Sequence, residues 1–559
     1  MEGRAHPGKA STSSGQKNRM MDDLTSYSEN LLRRFKQRLP PAVKNVPAAE
    51  TETETETHRT FQVGIVGAGL AGLRCAEVLI QEGFAVTMIE ARGRLGGRIH
   101  QSSLAGQLVD MGPNWIHGTD DNPVVKLAEN VNCKLISPNE STYVYDSAGM
   151  HMNAQKVLSA DTTFWDILAD AFKYSDEDCN GIAPNRSLKD YFIERLSASQ
   201  LDKEAQSTVM ELAEMWGGFV GDPFERQSLK WFWLEECLEG ENLFVSNTHR
   251  AIINRTAEAA LSCGDIHFST IVRSIEARHE EKGAGRVVVK TANRNFSFDA
   301  VVVTIPLGCL KMGTVQFVPE LPQNVHRAIK DTSYGRLEKA FLAFSAPFWE
   351  RSNMSALKDE DATRATENTF PMFTRFLRPS YVPEEQSSWT LEMVALSSPT
   401  IFGDDARPVI MFCLWGASAA HMTSAIASLN PSSDEYYKVM DMLFRPFYSR
   451  LPNYEEGHPD CIPTEVLATN WQNDEFAGKG SYTNFKTHLR GEQSNEDPAI
   501  DDHFLTLRHG LPERGIWFAG EHTAPFVALG TSTGAYWSGE SAATRIIEAY
   551  MLSRQRQSG

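Results

Sequence analysis

The chain has only 8 cysteines in 559 residues, Cys75, Cys133, Cys179, Cys237, Cys263, Cys309, Cys413 and Cys461, and no two of them form a CxxC pair. This scatter argues against a disulfide framework and for reduced thiols in a reducing compartment, and without a Cys/His ligand cluster no metal is expected. No stretch reaches the ~18 to 20 apolar residues that cross a bilayer. The first residues are polar and lack the apolar core of a secretory signal, so a cytoplasmic location is expected, with peroxisome and nucleus left open. Positive charge is scarce as well. Against 72 Asp and Glu stand 54 Lys and Arg, a formal net charge of −18, which speaks against nucleic acid as a partner and favours cationic molecules. What remains, 41% hydrophobic and 23% charged, is ordinary for a soluble globular protein with room for two or three domains.

The richest stretch runs from Phe61 to Arg98, FQVGIVGAGLAGLRCAEVLIQEGFAVTMIEARGRLGGR. Val63, Ile65 and Val66 form a short strand that ends at Gly67, and the helical pattern of Leu73, Ala76, Leu79 and Ile80 follows Gly67, Gly69 and Gly72. In a βαβ unit the first glycine permits the tight turn, the second lets the backbone approach a pyrophosphate, and the third lets helix and strand pack closely. The helix start would offer N–H groups and a positive dipole end to phosphate. Glu90 ends a second strand, Val86 to Ile89, about 20 residues on, where a carboxylate accepts from a ribose. A free 2′-hydroxyl is thereby favoured, which suits FAD or NAD over NADP. A glycine-rich turn of some other α/β domain is the competing reading.

Further along, residues 1–60 are low in apolar content and include ETETETET from Glu50 to Thr57, a disordered tail and linker. Leu31, Leu32, Phe35 and Leu39 among Arg33, Arg34, Lys36 and Arg38 can make a short basic amphipathic helix or a transient one in a solvated arm. Helical periods dominate from Thr162 to Leu238. Strands are predicted at Arg286 to Lys290, as one run from Phe296 to Ile305, at AFLAF and VIMFCLW, at Val466 to Thr469 and at Ile516 to Gly520, with a helix over Tyr436 to Tyr448. IHFSTIVRSIE places Ile266, Phe268, Val272 and Ile275 in a further apolar pattern. No internal repeat is present.

Glu90, Arg92, Gly96, Gly97 and Arg98 form ExRxxxGGR, which resembles the long fingerprint of the flavin-containing amine oxidase superfamily. A second segment, GIWFAGEHTAPFVALGTSTGAYWSGESAATRII (Gly515 to Ile547), resembles the distant half of that family's FAD site. The loop GPNWIHGTDDNP, Gly112 to Pro123, is most like polyamine oxidases. The resemblance spans residues 61 to 550. It implies an α/β fold with a Rossmann-type FAD-binding domain, from 61–135, 240–318 and 461–552, and an α+β substrate-binding domain, from 136–239 and 319–460, both discontinuous, with a polar tail at 553–559.

Cofactor contacts are implied for Gly67, Gly69, Leu70, Ala71, Gly72, Glu90, Ala91, Arg92, Gly97 and Arg98, for Gly112, Pro113, Asn114 and Trp115, and for Val272 toward the adenine. Trp471, Gly520, Glu521, Gly530, Thr531, Ser532 and Thr533 complete the set, with Glu521 at the ribityl and pyrophosphate region and the helix after Gly530 aimed at the flavin. Ser481 stands where monoamine oxidases carry the cysteine bonded to FAD, so non-covalent FAD is expected. Tyr482 would be one wall of an aromatic slot, and Thr531 replaces the tyrosine of the other wall, which speaks against a small arylamine. Lys339, on a face with Leu337 and Phe341, matches a lysine that holds a water near the flavin; an edge-strand lysine reaching solvent is the alternative. His117 would lie close to substrate, or be satisfied by backbone. Asp120 and Asp121 could neutralise a distal ammonium group but read first as solvated loop carboxylates, and Glu211, Glu214 and Glu235 are candidates for the same role that cannot be placed.

The implied function is oxidation of a secondary amine of polyamines by hydride transfer to FAD, hydrolysis of the imine, and reduction of O2 to hydrogen peroxide. Alternatives are a histone lysine demethylase, which would be expected to bring an extra docking domain and coiled-coil insertion, an L-amino-acid oxidase, and a flavin-binding interaction protein without turnover. Oligomeric state is not legible.

Overall fold

Gln62, Asp299 and Gly64 lie where the parallel sheet meets a second sheet. The computed structural model describes residues 60–138, 142–235, 237–278, 287–350, 370–487 and 500–558. Its parallel sheet runs in the order Ile516–Phe518, Ala300–Val303, Gln62–Val66, Ala85–Ile89, Asp265–His267. The apolar run predicted as one strand from Phe296 to Ile305 is instead two, Asn295–Phe298 in a four-stranded sheet and Ala300–Val303 in the parallel one. Asp299 is the break, because its carboxylate accepts the Gln62 N–H at 2.8 Å. Phe298 folds back over the sheet so closely that a Cβ on Gly64 would stand 2.4 Å from its ring. The fold class is α/β, as the sequence implied.

The glycine turn delivers the helix Leu70–Gln81, which buries Leu73, Ala76 and Leu79. Against it pack the helix Arg250–Cys263 and the last helix, Ser532–Ser558, which carries on through the stretch expected as a polar tail. Each α-helix of the 154–214 segment starts on a polar cap. Asn153 accepts from Gln155 and Lys156, Ser187 and Asp190 form a capping box, and Asp202 accepts from Ala205, so local chemistry fixes these starts.

A six-stranded sheet runs Glu465–Ala468, Glu338–Ala343, Val409–Leu414, Leu391–Ala395, Phe373–Phe376, Thr142–Tyr145, antiparallel except for the last pair. Strand alternation divides it into two faces. One packs Leu342, Phe412, Met393 and Phe376 against the helix Asp434–Tyr448. The other holds Phe341, Met411 and Val394 under Trp115 and Phe244.

Thr60–Leu238 and Asn242–Gly559 fold together as one unit, to which Glu239–Glu241 does not belong. The expected tail and its basic amphipathic segment lie outside the described residues. Among the described residues no helix is long and apolar enough to cross a membrane. Phe268 is 38% exposed, since the strand Asp265–His267 has ended and Ser269 turns at φ 51°.

Candidate active site

The glycine turn is built from close contacts. Gly67 sits at φ 109°, and a Cβ on Gly72 would be 2.2 Å from the Gly67 carbonyl. Gly69 differs, because a Cβ there meets nothing of the protein nearer than the Gly97 Cα at 4.0 Å. The helix beginning at Leu70 has neither a side-chain cap nor an acidic residue in its first turn. Its leading N–H groups therefore face an open approach, as a pyrophosphate requires. Glu90 braces the turn, taking the Ala68 N–H on Oε2 at 2.7 Å and the Arg92 N–H on Oε1 at 2.8 Å; each oxygen keeps a second lone pair for a ribose. These features fit the dinucleotide.

The arginines separate. Arg92 is forked onto Asp474 at 2.8 Å to each oxygen. Arg98 donates to the Tyr334 hydroxyl and Glu521 Oε1, both at 3.0 Å, and to the Ser481 carbonyl at 2.5 Å. Against the cost of burial, Tyr334 and Glu521 hold its charge firmly. Glu521 in turn accepts from the Thr483 N–H at 3.2 Å, so that Arg98 and Glu521 lock the two distant halves of the cradle together. Ala91 and Gly97 follow this backbone, Gly97 at φ 59°. Val272 begins the strand Val272–Ala277, buried in a cluster with Ile275 and Phe317.

The last helix starts after Gly530 at φ 73°. Thr531 Oγ1 accepts the Gly534 N–H at 3.0 Å and so caps it, Thr533 Oγ1 donates to Asn122 Oδ1 at 3.1 Å, and Ser532 is its first residue. Gly520, at φ 142°, donates its N–H to the Ser538 hydroxyl at 2.9 Å. A Cβ at Gly530 would stand 3.3 Å from Tyr482 Cδ2, which brings this helix start to Tyr482. The Tyr482 hydroxyl donates to the Phe219 carbonyl at 2.5 Å, and Phe219 stacks on Trp216 at 4.9 Å. Burial raises the Tyr482 phenol well above its ordinary range, and the nearby Glu235 adds to this. Ser481 Oγ accepts the Leu337 N–H at 2.9 Å.

Lys339 is 7% exposed. Its Nζ donates to the Gly112 carbonyl and to Asn114 Oδ1, and burial brings its pKa down to about 8. The solvent-reaching alternative is thus excluded. Gly112 needs its missing side chain, since a Cβ would lie 2.0 Å from the Arg98 carbonyl, and Pro113 leads into Trp115, which stacks on Phe373 at 6.0 Å. His117 is half-buried, its Nδ1 3.1 Å from Asn242 Oδ1 and its pKa lowered by burial. Asp120 and Asp121 are exposed.

Sequence reasoning did not find Glu338. It is fully buried beside Lys339 and accepts from the Thr469 hydroxyl at 2.5 Å, the Trp471 N–H at 3.1 Å and the Gln472 N–H at 2.9 Å. Burial raises it to about 7 against these hydrogen bonds. The available signal was an acidic residue next to Lys339 at the head of the apolar run AFLAF. Of the three glutamates left unplaced, Glu214 is paired with Arg378 and Lys189, Glu211 bonds Ser207, and Glu235 lies by Tyr482, pushed up to about 8 by burial while accepting the Phe485 N–H at 3.1 Å.

Comparison with known proteins gives the same direction. Polyamine oxidase 2 of Arabidopsis thaliana is 29% identical over 510 residues, 88% of this chain and 90% of that one. Lysine-specific histone demethylase 1 homolog 1 of the same plant is 25% identical over 529 residues, 89% of this chain but 53% of its own length. Among solved structures, putrescine oxidase bound to putrescine superposes with a TM-score of 0.62 at 18% identity, over 88% of this chain and all of the other, a likeness of fold. The profile of one family, described as flavin containing amine oxidoreductase, matches residues 70–547. The open glycine turn, its distant GEHT partner and that match give one conclusion: the chain belongs to the flavin containing amine oxidoreductase family, an FAD-dependent enzyme.

Proposed function

We propose that the protein oxidises a secondary amine of polyamines such as spermine, spermidine or their acetylated forms, with non-covalently held FAD and O2 as acceptor. The observation that carries this reading is Lys339, a buried ammonium with a pKa of about 8 set against the GPNW loop and beside a cradle that fits a dinucleotide. The residues that would hold FAD are the glycine turn with Leu70, Ala71 and Glu90 at the adenosine and phosphates, and Glu521 with the Gly530–Thr533 turn at the flavin. When bound, FAD supplies the acceptor for the hydride from the amine α-carbon and passes the electrons to O2, giving hydrogen peroxide.

The protein groups orient, desolvate and move protons. Tyr482 and the Phe219–Trp216 pair form an aromatic wall along which an uncharged amine can lie. Lys339, poised to lose its proton at mildly alkaline pH, can hold or transfer a proton during acceptor reduction or imine hydrolysis. Glu235, raised into the same range, can take the proton a substrate ammonium must shed. His117, with its imidazole kept neutral by burial, can accept from or donate to the amine. Ser481 has no thiol to offer the flavin, which supports non-covalent binding.

A demethylase reading is supported by the match to the histone demethylase homolog. One experiment separates the two: peroxide release across spermine, spermidine, acetylpolyamines, benzylamine, L-amino acids and a methylated histone tail peptide. Turnover is expected with a polyamine. Turnover of the peptide alone, or flavin that no amine bleaches without oxygen, overturns the proposal.

A further inference from the structure

Opposite Lys339 in the six-stranded sheet stands Cys413, opposite Cys413 stands Glu392, and opposite Glu392 stands Arg375. Directly paired residues share a sheet face, so these four form one cross-strand row on the face that carries Lys339. The neighbouring row on that face, Phe341, Met411, Val394 and Phe373, is wholly apolar and is covered by Trp115. On the other side lies a second apolar cluster with Leu337, Trp415 and Leu377. The polar row is therefore a track between two greasy banks, with the Lys339 site at one end.

At the end of the track away from Lys339, two carboxylates share one guanidinium. Arg375 donates to Asp161 Oδ1 at 2.9 Å and reaches Glu392 only as a 3.6 Å ion pair. Its Nε is buried without a hydrogen-bond partner among the described residues. One guanidinium thus faces two carboxylates, and the better geometry goes to Asp161. Glu392 is left in a desolvated place, where burial raises its pKa despite Arg375; an added cation would restore its charge. Strands in a sheet lie about 4.8 Å apart, so Glu392 stands roughly 9 to 10 Å from Lys339 along the track.

We infer that Glu392 is a specificity-determining residue that takes the distal ammonium group of an extended polyamine whose inner nitrogen reacts near Lys339. This rests on the polyamine reading and narrows it: from an inner nitrogen to the far end, a tetramine such as spermine spans the separation, whereas a triamine or a short diamine, with at most four carbons between those nitrogens, does not.

The test uses the purified flavoprotein, reading steady-state kinetics with spermine and the shift of thermal midpoint with added spermine or with putrescine, a diamine that has no secondary nitrogen. E392Q is expected to raise the spermine KM, and the concentration needed for its thermal shift, by about tenfold or more, the scale of one lost charge-assisted contact. Its kcat should stay within about twofold, and the thermal shift with putrescine should not change. Equal losses for both amines, or none, overturn the assignment. If E392Q fails to retain flavin, Arg375→Gln replaces it: with Glu392 freed of its cation, spermine should bind about threefold tighter or better, and weaker binding overturns the idea. A wild-type protein that neither binds nor oxidises any polyamine removes the proposed function itself, whereas loss confined to the Glu392 effect removes this inference alone.

Discussion

The Glu338 carboxylate takes the backbone N–H of Trp471 at 3.1 Å, so the residue next to the buried lysine also fixes the loop that carries Trp471. E338Q would turn one acceptor oxygen into a donor facing an N–H, at a cost of about 1 to 3 kcal/mol. The folded pKa, about 7 against an ordinary 4.5, sets the sign. The folded state holds this proton more tightly, so the group's stabilising contribution is complete below about 4.5 and is lost as pH rises through about 7. Thermal midpoints measured across that window should show the decline in the wild type and lack it in E338Q.

Lys339→Met should lower kcat/KM for a polyamine by about 10² to 10⁴, the range of a lost acid–base group. The wild-type rate should also rise with pH through about 8 as Lys339 sheds its proton, and K339M should lack that limb. Unchanged reduction and reoxidation rates in stopped flow would exclude the role.

Gly69 and Gly72 should part company. A methyl on Gly72 meets the Gly67 carbonyl at 2.2 Å, and one on Gly69 makes no contact closer than 4.0 Å, to the Gly97 Cα. G72A is expected to yield little folded protein. G69A should fold, by circular dichroism, yet bind FAD about tenfold more weakly or worse, because its methyl occupies the approach of the pyrophosphate. A G69A protein with undiminished flavin would show that the cofactor lies elsewhere.

Acid precipitation should release all of the flavin into the supernatant, since Ser481 carries a hydroxyl already engaged by the Leu337 N–H. Colour retained in the pellet contradicts this.

E235Q should raise the KM for a polyamine by about tenfold and flatten the pH dependence of kcat/KM at about 8, where Glu235 titrates in the folded protein. Initial rates from about pH 6 to 10 measure both.

Much of the molecule was legible because its signals are local. A glycine at φ 109° before a helix start, a carboxylate ending the next strand, and Ser or Asn caps ahead of apolar helical periods all act within a few residues. These fix the βαβ cradle, the α/β class and the helical segment whatever the rest of the chain does. The run Phe296 to Ile305 misled for the opposite reason. Its apolar pattern is continuous, and pairing of Asp299 with the distant Gln62, in which each N–H is bonded to the other residue, divides it between two sheets.

At the site, the sequence by itself determined the flavin cradle and put a lysine on an apolar strand. Only the tertiary structure decided that Arg92 is spent on Asp474 while Arg98 joins Glu521, that Glu235 and not Glu211 or Glu214 lies by Tyr482, and that Lys339, Cys413, Glu392 and Arg375 form one row. The reason is physical: a carboxylate's partner and a strand's register are set by whichever segments, hundreds of residues apart, bury their apolar faces together, and no local pattern encodes that pairing.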